Sequence, residues 1–458
     1  MVTIIPIETP TLGDRSYLAH DGEVALVVDP QRDIDRVLEL AEAAGVRITH
    51  VFETHIHNDY VTGGLALAKV TGAAYHVNAD DDVAYERVSI RDGDVIDVSD
   101  TLRVRVIATP GHTYTHLSYS LQSRDEHLGV FSGGSLLFGS TGRPDLLGPD
   151  HTHALVHHQF ASARRLAAEF PDATQVLPTH GFGSFCSATQ SEATSSTIGQ
   201  EKRANPVLTQ AEKDYVDGLL AALDAYPAYY AHMGAANSAG PGAADLSVPG
   251  PADPTALRSR LEAGEWVVDL RTRAVFASGF VPGTFNFGID GQLATYLGWL
   301  IPWGSPVTLL AETPEQVAEA QRELVRIGID RPAAATTGSP QDWTDRPLET
   351  LDRATFADLA QVRHHRNVVV LDVRRHAEWH EGHIDGAVNI PLHELLGRVA
   401  EVPAGEVWVH CAGGYRASIA ASILATQGNR VVAVDDSFEE QAKLVGLPLV
   451  TADESSAA

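Results

Sequence analysis

Asp269, Arg271, Gly279, Gly283 and Asn286 recur as Asp372, Arg374, Gly382, Gly386 and Asn389, every pair separated by 103 positions, as in 372 minus 269. Five identities at one offset, each set following a short apolar strand, mark a duplicated unit, and that period is the length of a small domain. The second half of the chain is therefore expected to hold two copies of one α/β domain. A stretch rich in Gly, Pro and Ala from Asn237 to Pro254 precedes them and is the expected linker. At about 100–200 residues per domain, the 458 residues predict three domains, over 1–240, 252–349 and 350–452.

The first 240 residues are patterned differently. A strand around Tyr17 to Ala19, a turn at Asp21-Gly22 and the apolar run from Val24 predict a β-hairpin. Asp33 is placed as the N-cap of a helix over Ile34 to Ala44 that Gly45 ends. Strands are expected over Ile48 to Glu53, Leu102 to Pro110, Leu117 to Leu121 and His127 to Ser132, with helices near Val61 to Thr71 and Thr152 to Glu169. This order suits two packed sheets covered by helices better than a strict βαβ alternation. Residues 206–232 are expected as a helical extension, amphipathic over Leu208 to Ala225, and the final TADESSAA as a disordered tail.

Composition narrows the function. Lys plus Arg number 33 against 60 Asp plus Glu, a formal net charge of -27. Phosphate-bearing partners need a basic face, so neither nucleic acid nor an anionic membrane is expected as a partner. No uncharged apolar run approaches the length of a membrane span, and MVTIIPIETP lacks the basic and apolar regions of a signal peptide, so a cytoplasmic location is expected. The 2 cysteines, Cys186 and Cys411, exclude a disulfide framework. A homo-oligomer is expected.

In THIHNDY, His55, His57 and Asp59 occupy alternate positions after a strand, and such side chains can converge on one ion if the backbone stays extended. His112 in TPGHT and His180 in LPTHG also follow strands. The series H-x-H-x-D, T-P-G-H-T, P-T-H-G resembles the metallo-β-lactamase superfamily over about residues 1–240. GRPDLLG and the HGFGSFC run into Cys186 are similar to its persulfide dioxygenase branch. The resemblance implies an αββα sandwich, a mononuclear non-heme iron, O2 as oxidant and a thiol persulfide oxidised to sulfite. Two positions depart from the pattern. Tyr60 replaces the second-site histidine, which disfavours a dinuclear centre, and Gly134 replaces the carboxylate of the dioxygenases' two-His, one-carboxylate site. His55, His57 and His112 remain as the expected set, with Asp59 and His180 as substitutes, for one Fe(II) per chain or, alternatively, Zn. The competing expectation is a scaffold whose histidines are merely polar residues in a closed cleft. By the same resemblance Arg143 lies near the carboxylate of the thiol substrate, with a salt bridge to Asp145 as the alternative. Cys186 is expected at the rim of the cleft, or else as a small buried residue. His151, His153, His157, His158, His364 and His365 are expected at the surface.

EVWVHCAGGYRAS carries the other centre. A strand over Glu406 to His410 ends at Cys411, four residues separate it from Arg416, and a helix over Ala417 to Gln427 follows. Such a loop wraps backbone N–H groups around the sulfur and adds a guanidinium and a helix dipole, which favour a thiolate and its persulfide. Gly413 and Gly414 permit the tight wrap, and with Tyr415 they are expected to bind substrate. This loop, with LDVRRHAEWHEGHIDGAVNIP, resembles the rhodanese family over about 350–450. The resemblance implies that Cys411 and Arg416 are catalytic, Cys411 taking sulfane sulfur from thiosulfate or a persulfide and passing it to a nucleophile. Phosphatases on this scaffold have one more residue between Cys and Arg. In the earlier copy Ala311 aligns with Cys411, so that copy is expected to be silent. The whole chain is similar to fusions of persulfide dioxygenase and rhodanese modules in sulfide detoxification. Its implied partners are a low-molecular-weight thiol persulfide, sulfite and thiosulfate. The alternatives are a sulfurtransferase whose first module is degenerate or a zinc-dependent thioester hydrolase, and a non-enzymatic sulfide sensor.

Overall fold

The computed structural model describes residues 2–123, 126–189, 191 and 193–451, so the expected tail falls almost wholly outside the described residues. Contacts divide the chain into a unit of Met1–Asp245 with Val325–Gly328 and a unit of Leu246–Leu324 with Ile329–Ala458.

In the first unit one six-stranded sheet takes Thr3–Thr9, Asp14–His20, Val24–Val28, Arg47–Phe52, Ala74–Asn78 and Val88–Ile90 in sequence order. A second six-stranded sheet runs Ser196–Thr197, Gln175–Pro178, Glu126–Gly133, Leu117–Ser123, Leu102–Ala108, Val95–Asp97 from edge to edge. Alternation along each strand sends Tyr17, Leu26, Phe52, Val104, Tyr119 and Phe131 into the space between the sheets. The opposite faces pack on helices, Leu18, Val27 and Val51 against Val37 and Leu67 on one side, Ile107 and Val130 against Val156 and Leu166 on the other. This is the expected αββα sandwich.

Three local expectations are corrected. Asp33 does not cap the helix Asp35–Ala44, because its carboxylate is engaged by Arg36 at 2.7 Å. The amphipathic run from Leu208 is two helices, Pro206–Thr209 and Glu212–Ala222, since Gln210 between them is extended. Asn237 is not in a linker: it sits in the helix Tyr230–Ala239 and is 1% exposed.

The second unit contains two parallel sheets. One orders Phe285–Asn286, Trp266–Asp269, Val307–Ala311, Ala334–Thr337; the other orders Asp352–Ala354, Arg430–Val434, Glu406–His410, Val369–Asp372, Val388–Asn389. The repeated residues explain themselves here. Arg271 pairs with buried Asp269 and donates to Gly279 O at 3.0 Å, as Arg374 pairs with Asp372 and donates to Gly382 O at 2.8 Å. Asn286 and Asn389 each donate to the carbonyls of that Asp and Arg. Buried charges persist only when every partner is supplied, so the set recurs together. Leu310 pairs in register with Asp269 and His410 with Asp372, which puts Ala311 at the position of Cys411. Among the described residues no helix is long and apolar enough to cross a membrane.

Candidate functional site

Loops that follow strands of both sheets converge at one edge of the sandwich. His55, His57 and Asp59 follow Arg47–Phe52, His112 follows Leu102–Ala108, and His180 follows Gln175–Pro178. All are buried. One ring nitrogen from each of His55, His112 and His180 lies within 4.8 Å of the others. The ring centroids are 4.8 Å apart for His55 and His112, 5.4 Å for His55 and His180, and 5.3 Å for His112 and His180.

What the outer nitrogens do fixes what the inner ones can offer. His112 Nδ1 donates to Arg143 O at 2.8 Å, leaving Nε2 as a buried lone pair with no hydrogen-bond partner. His180 Nδ1 lies 2.9 Å from the carboxylate of Asp14, and its Nε2 is 3.4 Å from His55 Nε2. Thr54 Oγ1 donates to Asp29 at 2.7 Å and so can accept from His55 Nδ1 at 2.9 Å. Three Nε2 atoms directed together, with each Nδ1 held by an oxygen, are the outer-shell arrangement of a metal centre. Burial and the surrounding histidines hold His55 well below the ordinary histidine range, and burial with His180 pushes His112 down to about 3. Neutral imidazole is the ligating form. Against its burial, Asp59 and Asp14 raise His180 to about 9, a proton that ligation would release.

His57 is used differently. Its Nε2 lies 3.2 Å from Asp29, 3.3 Å from Glu53 and 3.0 Å from Tyr60 Oη. Despite burial, the two carboxylates raise it to about 10. It is a buried cation between two acids, with only Nδ1, 4.0 Å from Asp59, turned to the centre. Its Nδ1 still groups with Asp59 and His180 as a second set of possible ligands.

Cys411 and Arg416 lie in the second unit. Cys411 Sγ accepts the Gly414 N–H at 3.1 Å, where the helix Tyr415–Thr426 begins. Gly414 has φ 89°, and an added Cβ would run into Asp435. Gly413 in the same turn is exposed. Arg416 is pinned by Glu378 through two bonds of 2.6 and 2.7 Å. Tyr415 Oη donates to Gly288 O at 2.9 Å, and Ser418 Oγ to Asn286 Oδ1 at 2.6 Å, so the Cys-free sheet grips the helix behind the loop. Its helix Leu293–Leu300 also brings Tyr296 and Trp299 to a small cleft shared with Arg375, His393 and Arg416.

Glu378 predicts an acid response. Against its burial, Arg416 and Arg375 hold it at about 2, below its ordinary 4.5. A depressed carboxylate stabilises the fold fully above its unfolded value and loses that contribution as pH falls through the folded one. Stability of the wild-type second unit should therefore decline between about pH 4.5 and 2, and Glu378→Gln should flatten that decline in urea titrations.

The profile of the metallo-beta-lactamase superfamily matches residues 12–180, and that of a rhodanese-like domain matches residues 355–443. Hydroxyacylglutathione hydrolase of Pseudomonas entomophila is 31% identical over 210 residues, 41% of this chain and 77% of that protein. This chain belongs to the metallo-beta-lactamase superfamily. Hydroxyacylglutathione hydrolase of Polaromonas sp. is 33% identical over 160 residues, 34% of this chain. The chain spans only 57% and 46% of the first curated relatives it matches. A metallo-beta-lactamase structure from Staphylococcus aureus aligns with TM-score 0.66 and 27% identity, over 74% of this chain and 99% of that one. The chain thus joins a metallo-beta-lactamase domain to a C-terminal rhodanese-like domain.

Against that superfamily the expected residues sort as follows. His55, His112 and His180 meet, and Asp59 stands beside them, 3.1 Å from His180 Nδ1. Arg143 is committed to Asp145 at 2.7 and 2.8 Å, to Phe185 O and to Asp224 O, so the salt bridge named as its alternative is what forms. Cys186 is fully enclosed rather than at a rim, and burial, reinforced by Asp59 and Asp14, pushes its thiol well up. Sequence reasoning missed Asp14, Asp29, His116 and Glu378. His116 Nε2 accepts the Gly134 N–H at 2.9 Å, and its ring stacks on His55 at 5.0 Å.

Gly134 leaves no vacancy. A Cβ there would press on the His112 ring, whose Cγ is 2.7 Å away. Gly134→Ala is therefore expected to cost about 1–3 kcal/mol by overpacking and to weaken metal binding, and Gly134→Asp to fare no better. Urea unfolding and metal titration check this; an aspartate variant of full stability with tighter iron binding would contradict it.

Proposed function

We propose that the chain is a two-centre sulfur enzyme. Cys411 carries sulfane sulfur, and the histidine centre oxidises a low-molecular-weight thiol persulfide to sulfite. The observation that carries the first part is the Cys411 sulfur receiving the Gly414 N–H at a helix start, with Arg416 fixed beside it by Glu378. A persulfide terminal sulfur is anionic at neutral pH, and those donors suit it. Transfer then balances as Cys411–SSH plus sulfite giving Cys411–SH plus thiosulfate. The Cys-free copy, with Ala311 in place of the nucleophile, is a silent rhodanese-like module that braces the loop and walls its cleft.

For the histidine centre, the unpartnered Nε2 of His112 and the oriented Nε2 atoms of His55 and His180 fit one metal ion per chain, Fe(II) by preference and Zn as the alternative. When bound, the ion supplies Lewis acidity and, if it is iron, redox chemistry. The chain's own part is to hold neutral imidazoles in place through Thr54, Asp14 and the Arg143 carbonyl. It also keeps bulk water from the buried edge. The net oxidation is RSSH plus O2 plus H2O giving RSH plus sulfurous acid, which ionises to sulfite. Tethering the two centres raises the effective concentration of sulfite at Cys411.

A second reading, metal-dependent hydrolysis of a glutathione thioester, is favoured by the all-histidine donor set and by relatives named hydroxyacylglutathione hydrolase. The test offers the purified chain thiosulfate with cyanide, glutathione persulfide with O2, and a lactoyl thioester. O2 uptake supports the oxidase, thioester cleavage the hydrolase, and failure of cyanide to form thiocyanate overturns sulfur transfer.

A further inference from the structure

We propose that Asn237 is a positioning residue of the histidine centre, clamping the turn His57 to Thr62 that presents Asp59; the proposal rests on that centre being a metal site. The turn is buried, and its polar backbone groups must find partners there. Asn237 supplies three. Its Nδ2 donates to His57 O at 2.8 Å and to Tyr60 O at 2.8 Å, and its Oδ1 accepts from Thr62 N at 2.9 Å. The bonded groups bracket Asp59 on both sides, so the amide fixes where that carboxylate stands relative to His180 and His57 Nδ1.

A primary amide is the side chain with two donors and an acceptor in this fork. Aspartate, equal in size, would turn acceptors toward two carbonyls, and alanine would strand three backbone groups. The helix that carries Asn237 lies beyond residues 12–180, and it is anchored by the Ala84 N–H bonded to Ser238 O at 2.8 Å and by fully buried Met233. The segment following the matched domain thus completes the centre.

The test uses the full chain with cobalt(II) as probe. Asn237→Asp and Asn237→Ala are each expected to bind cobalt about 10–100-fold more weakly, with a changed visible absorption band. The Thr62 amide should exchange faster than in the metal-free wild type. A purely structural role would lower the melting temperature and leave band and affinity alone. Wild-type affinity and spectrum in either folded variant overturn the proposal. If both variants fail to fold, the wild type decides: protection of the Thr62 amide in the metal-free chain supports the clamp, and exchange at an open-loop rate removes it. A wild-type chain that binds no cobalt overturns the metal reading instead, while the Thr62 comparison still judges the clamp.

Discussion

Cys411→Ser should lower sulfur transfer from thiosulfate to cyanide by about 10³-fold or more. Serine fits the loop and can still accept the Gly414 N–H, so circular dichroism and melting should stay near the parent. What is lost is the atom that forms a persulfide. The initial rate of thiocyanate formation is the measurement, and a rate equal to wild type would remove Cys411 from the reaction. Arg416→Ala is expected to give a smaller loss, because the N–H cradle survives it.

The histidines should separate by role. His112→Ala and His180→Ala are each expected to weaken metal binding at least about 100-fold, since two remaining nitrogens hold an ion poorly. His57→Ala should instead retain the ion and lose stability, by about 3–5 kcal/mol. Removing that cation leaves Asp29 and Glu53 buried without it. His57→Gln keeps some of those contacts and serves if the alanine variant does not fold. Metal content per chain and urea midpoints together check this, and metal loss from His57→Gln with full stability would reverse the assignment.

Much of this was legible in the sequence. The repeat could be read because each Asp–Arg pair is buried and closed by the same Asn, so every member is needed at its spacing. His55 and His112, and His180 as a substitute, could be read because each follows a strand. The orientation of His57 could not. Alternate positions face one way only in extended backbone, and after Phe52 the chain turns, aiming His57 Nε2 at Asp29 and Glu53. Asp14 and Asn237 come from distant segments, and nothing local marks them; His116, four residues after His112 in the same loop, carries no spacing that sets it apart from a loop histidine. Gly134 looked like a missing ligand because a sequence shows which side chain is absent, while the His112 ring occupying the space shows only in three dimensions. The break at Gln210 and the role of Asp33 were set by partners elsewhere in the fold.

The bonds from Tyr415 and Ser418 to the Cys-free sheet have a thermodynamic corollary. Asn286 is at once the buried keystone of its own Asp269–Arg271 pair and the acceptor for Ser418, and Ser422 Oγ receives the Asn286 N–H at 3.1 Å. Neither sheet can melt without stranding polar groups of the other, so the second unit should denature in a single cooperative transition. A fragment cut near residue 350 would expose to water the face of the helix Tyr415–Thr426 that Gly288 and Asn286 now cover, and should be less stable than the same residues in the full chain. The second unit is therefore expected to melt as a whole, and calorimetry showing two separate transitions in it would contradict that.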